Sequence, residues 1–165
     1  MPLEAYLDIE TTGLDPRGGG ITVVGIFLTE GQASRFVQLV GDDVTGDNLL
    51  QALEGVQTLY TYNGSRFDLP FIYECLGLDL ARSVKHCDLM YHCWQNNLFG
   101  GLKAVEQCLG IGRQLKEVNG YEAVRLWWRY QNDYDREALA TLLAYNKEDV
   151  VNLKALREKL SGAPD

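Results

Sequence analysis

The sequence predicts an α/β fold with a mixed five-stranded sheet flanked by helices. Three strand-like segments follow one another near the N-terminus with short connections, which is typical of a three-strand antiparallel meander. From residue 44 onward the pattern changes to helix, strand, helix and strand, and then to helices alone. With 165 residues, 46% of them hydrophobic and 23% charged, the chain has the size and composition of one globular domain. We therefore expect a single domain over residues 1–160 and a frayed tail at 161–165.

The strands are predicted from alternating, strand-forming residues that are bounded by turn signals. These segments are 3–10, 21–29, 33–39, 58–62 and 84–87. A glycine-rich turn at 15–20 separates the first two strands, and Glu30 and Gly31 separate the second from the third. Because short connections favour antiparallel neighbours, the first three strands are expected to pair in chain order.

The helices are predicted from the helical spacing of apolar residues and from capping residues. The predicted helices are 44–53, 68–76, 89–94, 102–109, 121–130 and 135–160. Thr45 or Asp47 is expected to cap the first helix and Asp88 the third, because their side-chain oxygens can accept bonds from free N–H groups. The second helix is expected to end at Gly77.

The net charge and the N-terminal segment restrict the role of the protein. The net charge of −8 counts against a histone-like or repressor-like function, because non-specific phosphate binding depends on lysine and arginine. An enzyme whose carboxylates hold cations remains compatible with it. The chain starts without the basic flank and apolar stretch of a secretory signal, and no apolar run reaches the roughly 18 residues of a membrane helix. These features predict a cytoplasmic protein with no membrane partner.

The four cysteines are expected to be reduced in that compartment. The pairs His86-Cys87 and His92-Cys93 raise the question of a zinc site. Their spacing matches no common finger or ribbon, which usually begins with Cys-x2–4-Cys. Packing of these cysteines as small apolar side chains is therefore favoured.

An acidic pair lies in the first predicted strand. Asp8 and Glu10 are two residues apart, so they project from the same face of that strand. Burying two carboxylates together is costly without a counter-ion, and Mg²⁺ or Mn²⁺ removes that cost because these ions prefer oxygen ligands. A solvent-facing strand with two exposed acids is the alternative interpretation.

Two further acids lie in segments suited to a ligand site. Asp68 follows the fourth strand, at the edge where open α/β sheets bind ligands, although an acid at a helix N-terminus also has a purely structural role. In the last helix Tyr145 and Asp149 are four residues apart, hence on one face and about 6 Å apart along the axis. A surface salt bridge with Lys147 or Arg157 is the alternative for Asp149, but neither has i+3 or i+4 spacing to it.

Three motifs carry a family resemblance: Asp-x-Glu on the first strand, Asn-x3-Phe-Asp after a later strand and Tyr-x3-Asp on the last helix. In this order they resemble the motifs of the DEDD superfamily of metal-dependent 3′–5′ exonucleases, which have a ribonuclease-H-like fold. The tyrosine four residues before the last aspartate is similar to the branch named for tyrosine (DEDDy). Asp88-Leu89, Leu102-Lys103-x2-Glu106 and the segment at 145–153 further resemble the YprB-like predicted exonucleases. The resemblance covers about residues 3–160.

The resemblance implies roles for five residues. The four that match metal-binding carboxylates are Asp8, Glu10, Asp68 and Asp149. Tyr145 matches the residue that orients or deprotonates the attacking water, and we assign orientation to it because the ordinary pKa of tyrosine is about 10. The implied reaction is two-metal-ion hydrolysis of phosphodiester bonds, with Mg²⁺ or Mn²⁺, at the 3′ end of single-stranded DNA or RNA.

Residues that hold the substrate are predicted less directly. Thr11, Thr12 and Gly13 are similar to the family segment whose backbone approaches the terminal nucleotide. Asn63 and Phe67 flank the second motif and are candidates for contact with sugar or base, with a core role as the alternative for Phe67.

Basic and aromatic side chains provide further candidates for contact with nucleic acid. The candidate phosphate contacts are Arg66, Lys103, Arg113, Lys116 and Arg129, for which surface solvation is the alternative. Trp127 and Trp128 are about 100° apart on their helix, so they cannot face the same direction. Stacking of an exposed one on a base and packing along the helix edge are both open.

Two other functions stay open from the sequence. A domain of this fold could hold nucleic acid or a protein without cleaving it, which the net charge of −8 favours and the complete set of acids disfavours. The same fold could also cleave internally, as an endonuclease. The sequence gives no preference between DNA and RNA, because that choice depends on contacts to one hydroxyl group.

Overall fold

A computed structural model of the chain describes residues 1–162. Of the predicted tail, Ser161 is the last residue of the final helix, and residues 163–165 lie outside the described residues. Within residues 1–162, no helix is both long enough and apolar enough to span a membrane.

One mixed sheet forms the centre of the fold. Its strands are β1 (Leu3–Thr11), β2 (Ile21–Glu30), β3 (Ala33–Val40), β4 (Thr58–Thr61) and β5 (Lys85–Asp88). Their order in the sheet is β3-β2-β1-β4-β5. β2 is antiparallel to both β1 and β3, whereas β4 is parallel to both β1 and β5. The predicted five-stranded sheet with its antiparallel meander is confirmed.

Helices cover both faces of this sheet. Along the described chain they are α1 (Gly46–Ala52), α2 (Asp68–Leu76), α3 (Leu80–Ser83), α4 (Leu89–Gln95), α5 (Leu102–Leu109), α6 (Gly120–Asp133) and α7 (Arg136–Ser161). The sequence did not predict α3 or a 3₁₀ turn at Gly41–Asp43, because elements of three or four residues are too short to show a periodic pattern.

The predicted caps are present at the helix ends. Thr45 caps α1, since its side chain accepts a bond from the N–H of Asn48 at 3.1 Å. Asp88 caps α4 through the N–H of Met90 at 3.1 Å. Gly77 ends α2 with a φ of 72°, a left-handed conformation that glycine adopts without strain.

Alternation along β1 divides the core into two layers. Ala5, Leu7 and Ile9 pack into a cluster that α1 and α2 complete. Tyr6 faces the opposite side, where Leu153 and other residues of α7 cover the sheet. The even-numbered residues of β1 therefore lie on the same face as Tyr6 and point toward α7. The candidate site lies on this face.

Candidate metal centre

β1 directs two acids toward α7. Asp8 and Glu10 lie on the same face of β1 as Tyr6. Their partners in β2 are Gly25 and Val23, respectively. The register of this ladder shifts directly after Glu10, where β2 carries one extra residue, Thr22, between the partners of Glu10 and Thr11. Bulges bend a strand and re-aim its side chains, and they are frequent beside active sites.

α7 brings a third acid to the same point. Tyr145 and Asp149 lie one turn apart on α7 and both are buried. One carboxylate oxygen from each of Asp8, Glu10 and Asp149 lies within 4.8 Å of the other two. Three acids predicted as metal ligands from opposite ends of the chain therefore meet in space.

Asp68 reaches the centre from the first turn of α2. Its Oδ2 accepts a bond from the backbone N–H of Ile9 at 3.2 Å, so it lies beside the strand that carries the first two acids. Burial raises the pKa of Asp68 to about 7, the Ile9 N–H lowers it, and the charges of Asp88 and Asp149 raise it further. Its oxygens lie outside the group of three that converge within 4.8 Å.

Burial dominates the electrostatics of the three converging acids. It raises the pKa of Asp8 and of Glu10 well above the ordinary values, and in both the negative charge of Asp149 is the next cause. It also raises the pKa of Asp149, against the opposing effect of Arg113. Carboxylates this close cannot all be ionised unless positive charge compensates them.

Glu10 indicates that a cation fits here. Its side chain is buried, and its Oε1 has no hydrogen-bond partner within residues 1–162. A buried carboxylate oxygen without a partner is costly, and such groups are rare in folded proteins. A cluster that offers carboxylate oxygens alone is the donor set that Mg²⁺ and Mn²⁺ prefer. The residues present therefore fit a hard divalent cation.

Asn146 orients Asp8. Its Nδ2 donates to the backbone carbonyl of Asp8 at 3.1 Å and lies 3.4 Å from Asp8 Oδ2. Its Oδ1 accepts from Gln38 Nε2 of β3 at 2.9 Å. Gly25 leaves the space for this amide, because a Cβ there would lie 2.2 Å from Asn146 Oδ1. Side chains from α7 and β3 and the bare backbone of β2 thus hold the first acid.

Arg113 pairs with Asp149. Its Nη2 donates to Asp149 Oδ1 at 2.6 Å, and its Nε donates to Glu106 Oε1 at 2.9 Å. The sequence marks Arg113 as a candidate phosphate contact at the surface. The structure corrects the alternative of surface solvation, since the guanidinium is buried against Glu106 and Asp149. Arg113 also lines a cavity that Asp8, Tyr145 and Asp149 border, and its contact with phosphate stays a prediction.

The partners considered for Asp149 from sequence spacing bind elsewhere. Arg157 Nη1 donates to Glu4 Oε1 at 2.9 Å. The Lys147 ammonium lies 5.3 Å from the centre of the Phe36 ring. The ion pair of Asp149 therefore comes from a loop distant in sequence rather than from its own helix.

Tyr145 keeps its proton at neutral pH. Burial raises the pKa of its hydroxyl group above the ordinary value, and the charges of Asp149 and Glu10 raise it further. The Lys103 ammonium lies 5.2 Å from the centre of the Tyr145 ring. The hydroxyl group is therefore suited to donate a hydrogen bond and poorly suited to act as a base.

A cavity of about 660 Å³ opens beside the acids. Its lining includes Asp8, Glu10, Thr11, Thr12, Gly13, Phe67, Tyr145 and Asp149. The Thr11 hydroxyl donates to the Gly13 carbonyl at 2.6 Å, and the Thr12 hydroxyl accepts from the Gly20 N–H at 2.9 Å, so both hold the turn that follows β1. Phe67 combines two roles, because it lines the cavity and also packs 5.4 Å from the Phe71 ring.

Asn63 is not among the residues that line this cavity. It has a φ of 62°, a left-handed conformation that asparagine tolerates, and its N–H donates to Asp88 Oδ1 at 2.8 Å. Asp88 Oδ2 also accepts the N–H of Ser65 at 3.1 Å. Asn63 therefore shapes the turn that leads into α2, and its contact with substrate stays a prediction.

Sequence comparison gives the family of the chain. A family model described as the RNase_H superfamily matches residues 5–161, nearly the whole chain. The chain belongs to the RNase H superfamily. No curated protein sequence is significantly similar to it.

Solved structures give the RNase H superfamily fold a second line of support. A family B DNA polymerase from the archaeon Pyrobaculum calidifontis superposes with a TM-score of 0.73 and 17% identity, over 98% of this chain and 25% of the polymerase chain. NrnC of Brucella melitensis superposes with a TM-score of 0.62 and 17% identity, over 96% of this chain and 72% of its own. Exonuclease I of Methylocaldum szegediense superposes with a TM-score of 0.53 and 14% identity, over 80% of this chain and 42% of its own. At these identities the similarity shows the fold, and the ribonuclease-H-like prediction is confirmed.

The remaining candidates lie at different distances from the centre of this RNase H superfamily domain. Lys103 lines a second cavity, of about 290 Å³, together with Asp8, Tyr145 and Asp149. Lys116 lines a third cavity, which Lys103 also borders.

Arg129 and Arg66 have other partners. Arg129 Nη2 lies 2.6 Å from Asp135 Oδ2 in an ion pair. The Arg66 guanidinium lies 5.5 Å from the Trp94 ring centre.

The two neighbouring tryptophans differ in exposure. Trp127 is 9% exposed and packs in the core, whereas Trp128 is 46% exposed. Tyr121 lies seven positions before Trp128 on α6, so the two share a face, and Tyr121 lines the main cavity.

The histidine–cysteine pairs lie apart from this centre. His86 Nε2 bonds to the Thr61 hydroxyl at 2.8 Å, and Cys93 is fully buried in the core. Cys87 Sγ lies 3.4 Å from His92 Nε2.

Several residues that build the centre lie outside the three sequence motifs. Gln38, Gly25 and Arg113 lie in segments that match none of the three motifs. Asn146 is adjacent to Tyr145 within the third motif, and that position is the one sequence signal that could have drawn attention to it.

Proposed function

We propose that this protein is a metal-dependent 3′–5′ exonuclease of the tyrosine branch of the DEDD superfamily, close to the YprB-like enzymes. Its substrate would be the 3′ end of single-stranded DNA or RNA. The observation that carries the proposal is the convergence of Asp8, Glu10 and Asp149, with a buried Glu10 oxygen that lacks a partner within residues 1–162. The Asp68 side chain lies next to them, because it accepts a hydrogen bond from the backbone N–H of Ile9 in β1.

These four acids would hold two ions of Mg²⁺ or Mn²⁺. When bound, such a pair lowers the pKa of an attacking water and stabilises the charge that develops on the phosphate and on the leaving 3′ oxygen. The protein's own task is then to hold ligands and substrate, since phosphoryl transfer needs little covalent chemistry from side chains. A structure of NrnC with bound Mg²⁺ is consistent with this assignment for the shared fold.

Tyr145 would orient the attacking water. Because burial keeps its hydroxyl group protonated, it can donate a hydrogen bond, and loss of this group should slow the reaction without removing metal binding. Asn146 would keep the Asp8 carboxyl group in place during the reaction.

The main cavity would receive the terminal nucleotide. Phe67 and Tyr121 give it aromatic walls, and the turn of Thr11, Thr12 and Gly13 borders it. Trp128 shares a helix face with Tyr121, so a base further along the strand would stack there. NrnC, which has been solved with pGG, supports an oligonucleotide as the class of ligand.

Labelled oligonucleotides test the proposal. We expect 5′-labelled single-stranded DNA or RNA to yield a ladder that shortens from the 3′ end with Mg²⁺ or Mn²⁺, and no cleavage in EDTA. Circular single-stranded DNA is the matched control, because it has no end for an exonuclease and remains a substrate for an endonuclease.

Each of the other outcomes identifies another function. Internal fragments and cleavage of the circle would indicate an endonuclease. Binding without cleavage, unchanged by EDTA, would indicate the non-catalytic binding module, and inactivity with both metals on both polymers would reject the exonuclease.

A further inference from the structure

A buried ion network stands directly behind the candidate metal centre. The Arg113 side chain is 5% exposed and bridges Glu106 of α5 and Asp149 of α7, and its Nη1 lies 3.7 Å from Glu148 Oε1 of α7. Asn152, one turn after Asp149 on α7, donates to Glu106 Oε2 and, at 3.2 Å, to the Gly112 carbonyl. This network is separate from the side chains that hold Asp8.

We propose that Arg113 is a positioning residue, which fixes the Asp149 carboxyl group for metal binding and packs against Tyr145. This inference rests on the proposed nuclease function and deepens it. In this role Arg113 acts through Asp149, because its Nε and Nη2 are bonded to Glu106 and Asp149. Its Nη1 lies 3.7 Å from Glu148 Oε1.

The guanidinium of Arg113 determines the orientation of the Asp149 carboxyl group. Nε donates to Glu106 Oε1 at 2.9 Å and Nη2 donates to Glu106 Oε2 at 3.1 Å, so two parallel bonds fix the plane of the guanidinium. From that fixed plane, Nη2 also donates to Asp149 Oδ1 at 2.6 Å. The bond engages one oxygen of Asp149 and leaves the other for the acidic cluster.

The same guanidinium contacts the second functional residue of α7. Its central carbon lies 5.7 Å from the centre of the Tyr145 ring. Tyr145 and Asp149 are one helical turn apart, so a single planar group restrains both members of the Tyr-x3-Asp motif. Lysine cannot replace it, because an ammonium group has neither the plane nor the paired donors.

A purely structural role is the competing explanation. Glu106 is buried, and loss of Arg113 would leave its charge without a partner, which alone destabilises a protein. A loss of activity in Arg113→Met would therefore not distinguish the two roles. The double variant Arg113→Met/Glu106→Gln does, since it removes both charges of the pair and keeps an amide beside Asn152.

The test compares melting temperature, Mn²⁺ affinity and exonuclease rate in four full-length proteins. These are the unsubstituted protein, Glu106→Gln, Arg113→Lys and the double variant. We expect the double variant to fold, with a melting temperature near that of the unsubstituted protein. We also expect its Mn²⁺ affinity, measured by electron paramagnetic resonance, and its rate at saturating oligonucleotide to fall about 10- to 100-fold, as for other groups that orient metal ligands.

The two single variants complete the comparison. Arg113→Lys retains the charge, so we expect it to lose metal affinity although it retains more stability than an uncharged residue would. Glu106→Gln retains the bond from Arg113 to Asp149 and is expected to bind Mn²⁺ within about threefold of the unsubstituted protein, a difference of under 1 kcal/mol.

The failure modes are distinguishable. A double variant, or Arg113→Lys if the double variant does not fold, with unsubstituted Mn²⁺ affinity and rate would overturn the positioning role and leave the nuclease proposal standing. If the unsubstituted protein binds Mn²⁺ but cleaves nothing, the nuclease proposal fails and Mn²⁺ affinity still decides the role of Arg113. If it binds no Mn²⁺, both proposals fail.

Discussion

Two buried acids at the same edge of the sheet have opposite surroundings. Glu10 lies near the end of β1 and Asp88 at the end of β5, and they are 7% and 6% exposed. Asp88 accepts N–H groups from Asn63, Ser65 and Met90 at 2.8 to 3.1 Å. Glu10 has a buried oxygen without a partner within residues 1–162.

The difference shows what distinguishes a structural acid from a candidate ligand. Both are carboxyl groups at nearly equal burial, so burial alone identifies neither. Donors around Asp88 offset the loss of water, whereas the charged neighbours of Glu10 are other acids and its Oε1 has no donor within residues 1–162. An acid of the first kind stabilises the fold, and an acid of the second kind requires a cation or a proton.

The largest effect is expected at the acidic cluster. Asp8→Asn removes one charged oxygen donor, so exonuclease activity should fall by about 10³-fold, the loss typical when a group that stabilises transition-state charge is removed. Its melting temperature without metal should stay the same or rise, because repulsion with Asp149 is relieved. Rate and thermal unfolding measured on the same preparation check both statements. Glu30→Gln, an exposed acid at the opposite end of β2, is the matched control and should be unaffected.

The opposite result is expected for the satisfied acid. Asp88→Asn leaves at least one of three N–H groups facing an amide NH₂ instead of an oxygen, which should lower the free energy of unfolding by about 3 kcal/mol. Chemical denaturation measures this change. An unchanged midpoint would mean that these bonds do not contribute, and the contrast with Glu10 would lose its basis.

The pH dependence of metal binding should sharpen the contrast. Without metal, the raised pKa values of Asp8, Glu10 and Asp149, and that of Asp68 near 7, mean that the folded state holds protons which the unfolded chain releases from about pH 4. Their contribution to stability is therefore lost as the pH rises through these raised pKa values. Mg²⁺ must displace the same protons, so the rise in melting temperature that it causes should grow from pH 5.5 to pH 8, by about 5 °C at saturation.

Differential scanning fluorimetry with and without Mg²⁺ measures this shift. Asp8→Asn should show little Mg²⁺ effect at either pH. A Mg²⁺ effect that was larger at pH 5.5 than at pH 8 would contradict the assignment of these acids as ligands.

A smaller loss of activity is expected from a substitution in β2, at the glycine that makes room for Asn146. Gly25→Ala places a Cβ 2.2 Å from Asn146 Oδ1, so the amide must move and Asp8 loses its orientation. We expect a roughly tenfold loss of activity with about 1 to 2 kcal/mol of destabilisation. Gly18→Ala is the control, because an added Cβ there meets no atom within 4 Å. Equal rates in the two variants would show that Asn146 does not orient Asp8.

The sequence by itself determined which residues face each layer of the core and on which face of its strand or helix most of the acids lie. Alternation along β1 places Asp8 and Glu10 on one face, and i+4 spacing on α7 places Tyr145 above Asp149, because both patterns follow from local backbone geometry. The capping residues Thr45 and Asp88 are local in the same sense, since each bonds to an N–H two or three positions later. Short α3 escaped prediction, because four residues show no period.

Only the tertiary structure decided how those acids are held. The Arg113–Asp149 bond joins residues 36 positions apart and the Asn146–Asp8 bond joins residues 138 positions apart, distances over which no local pattern operates. Its residue type alone suggested a surface position for Arg113, and only packing of the loop after α5 against α7 buries it. The chain supplies the acids through local periodicity, whereas the choice of donors, cations or protons for each acid depends on which distant groups the folded chain brings to it.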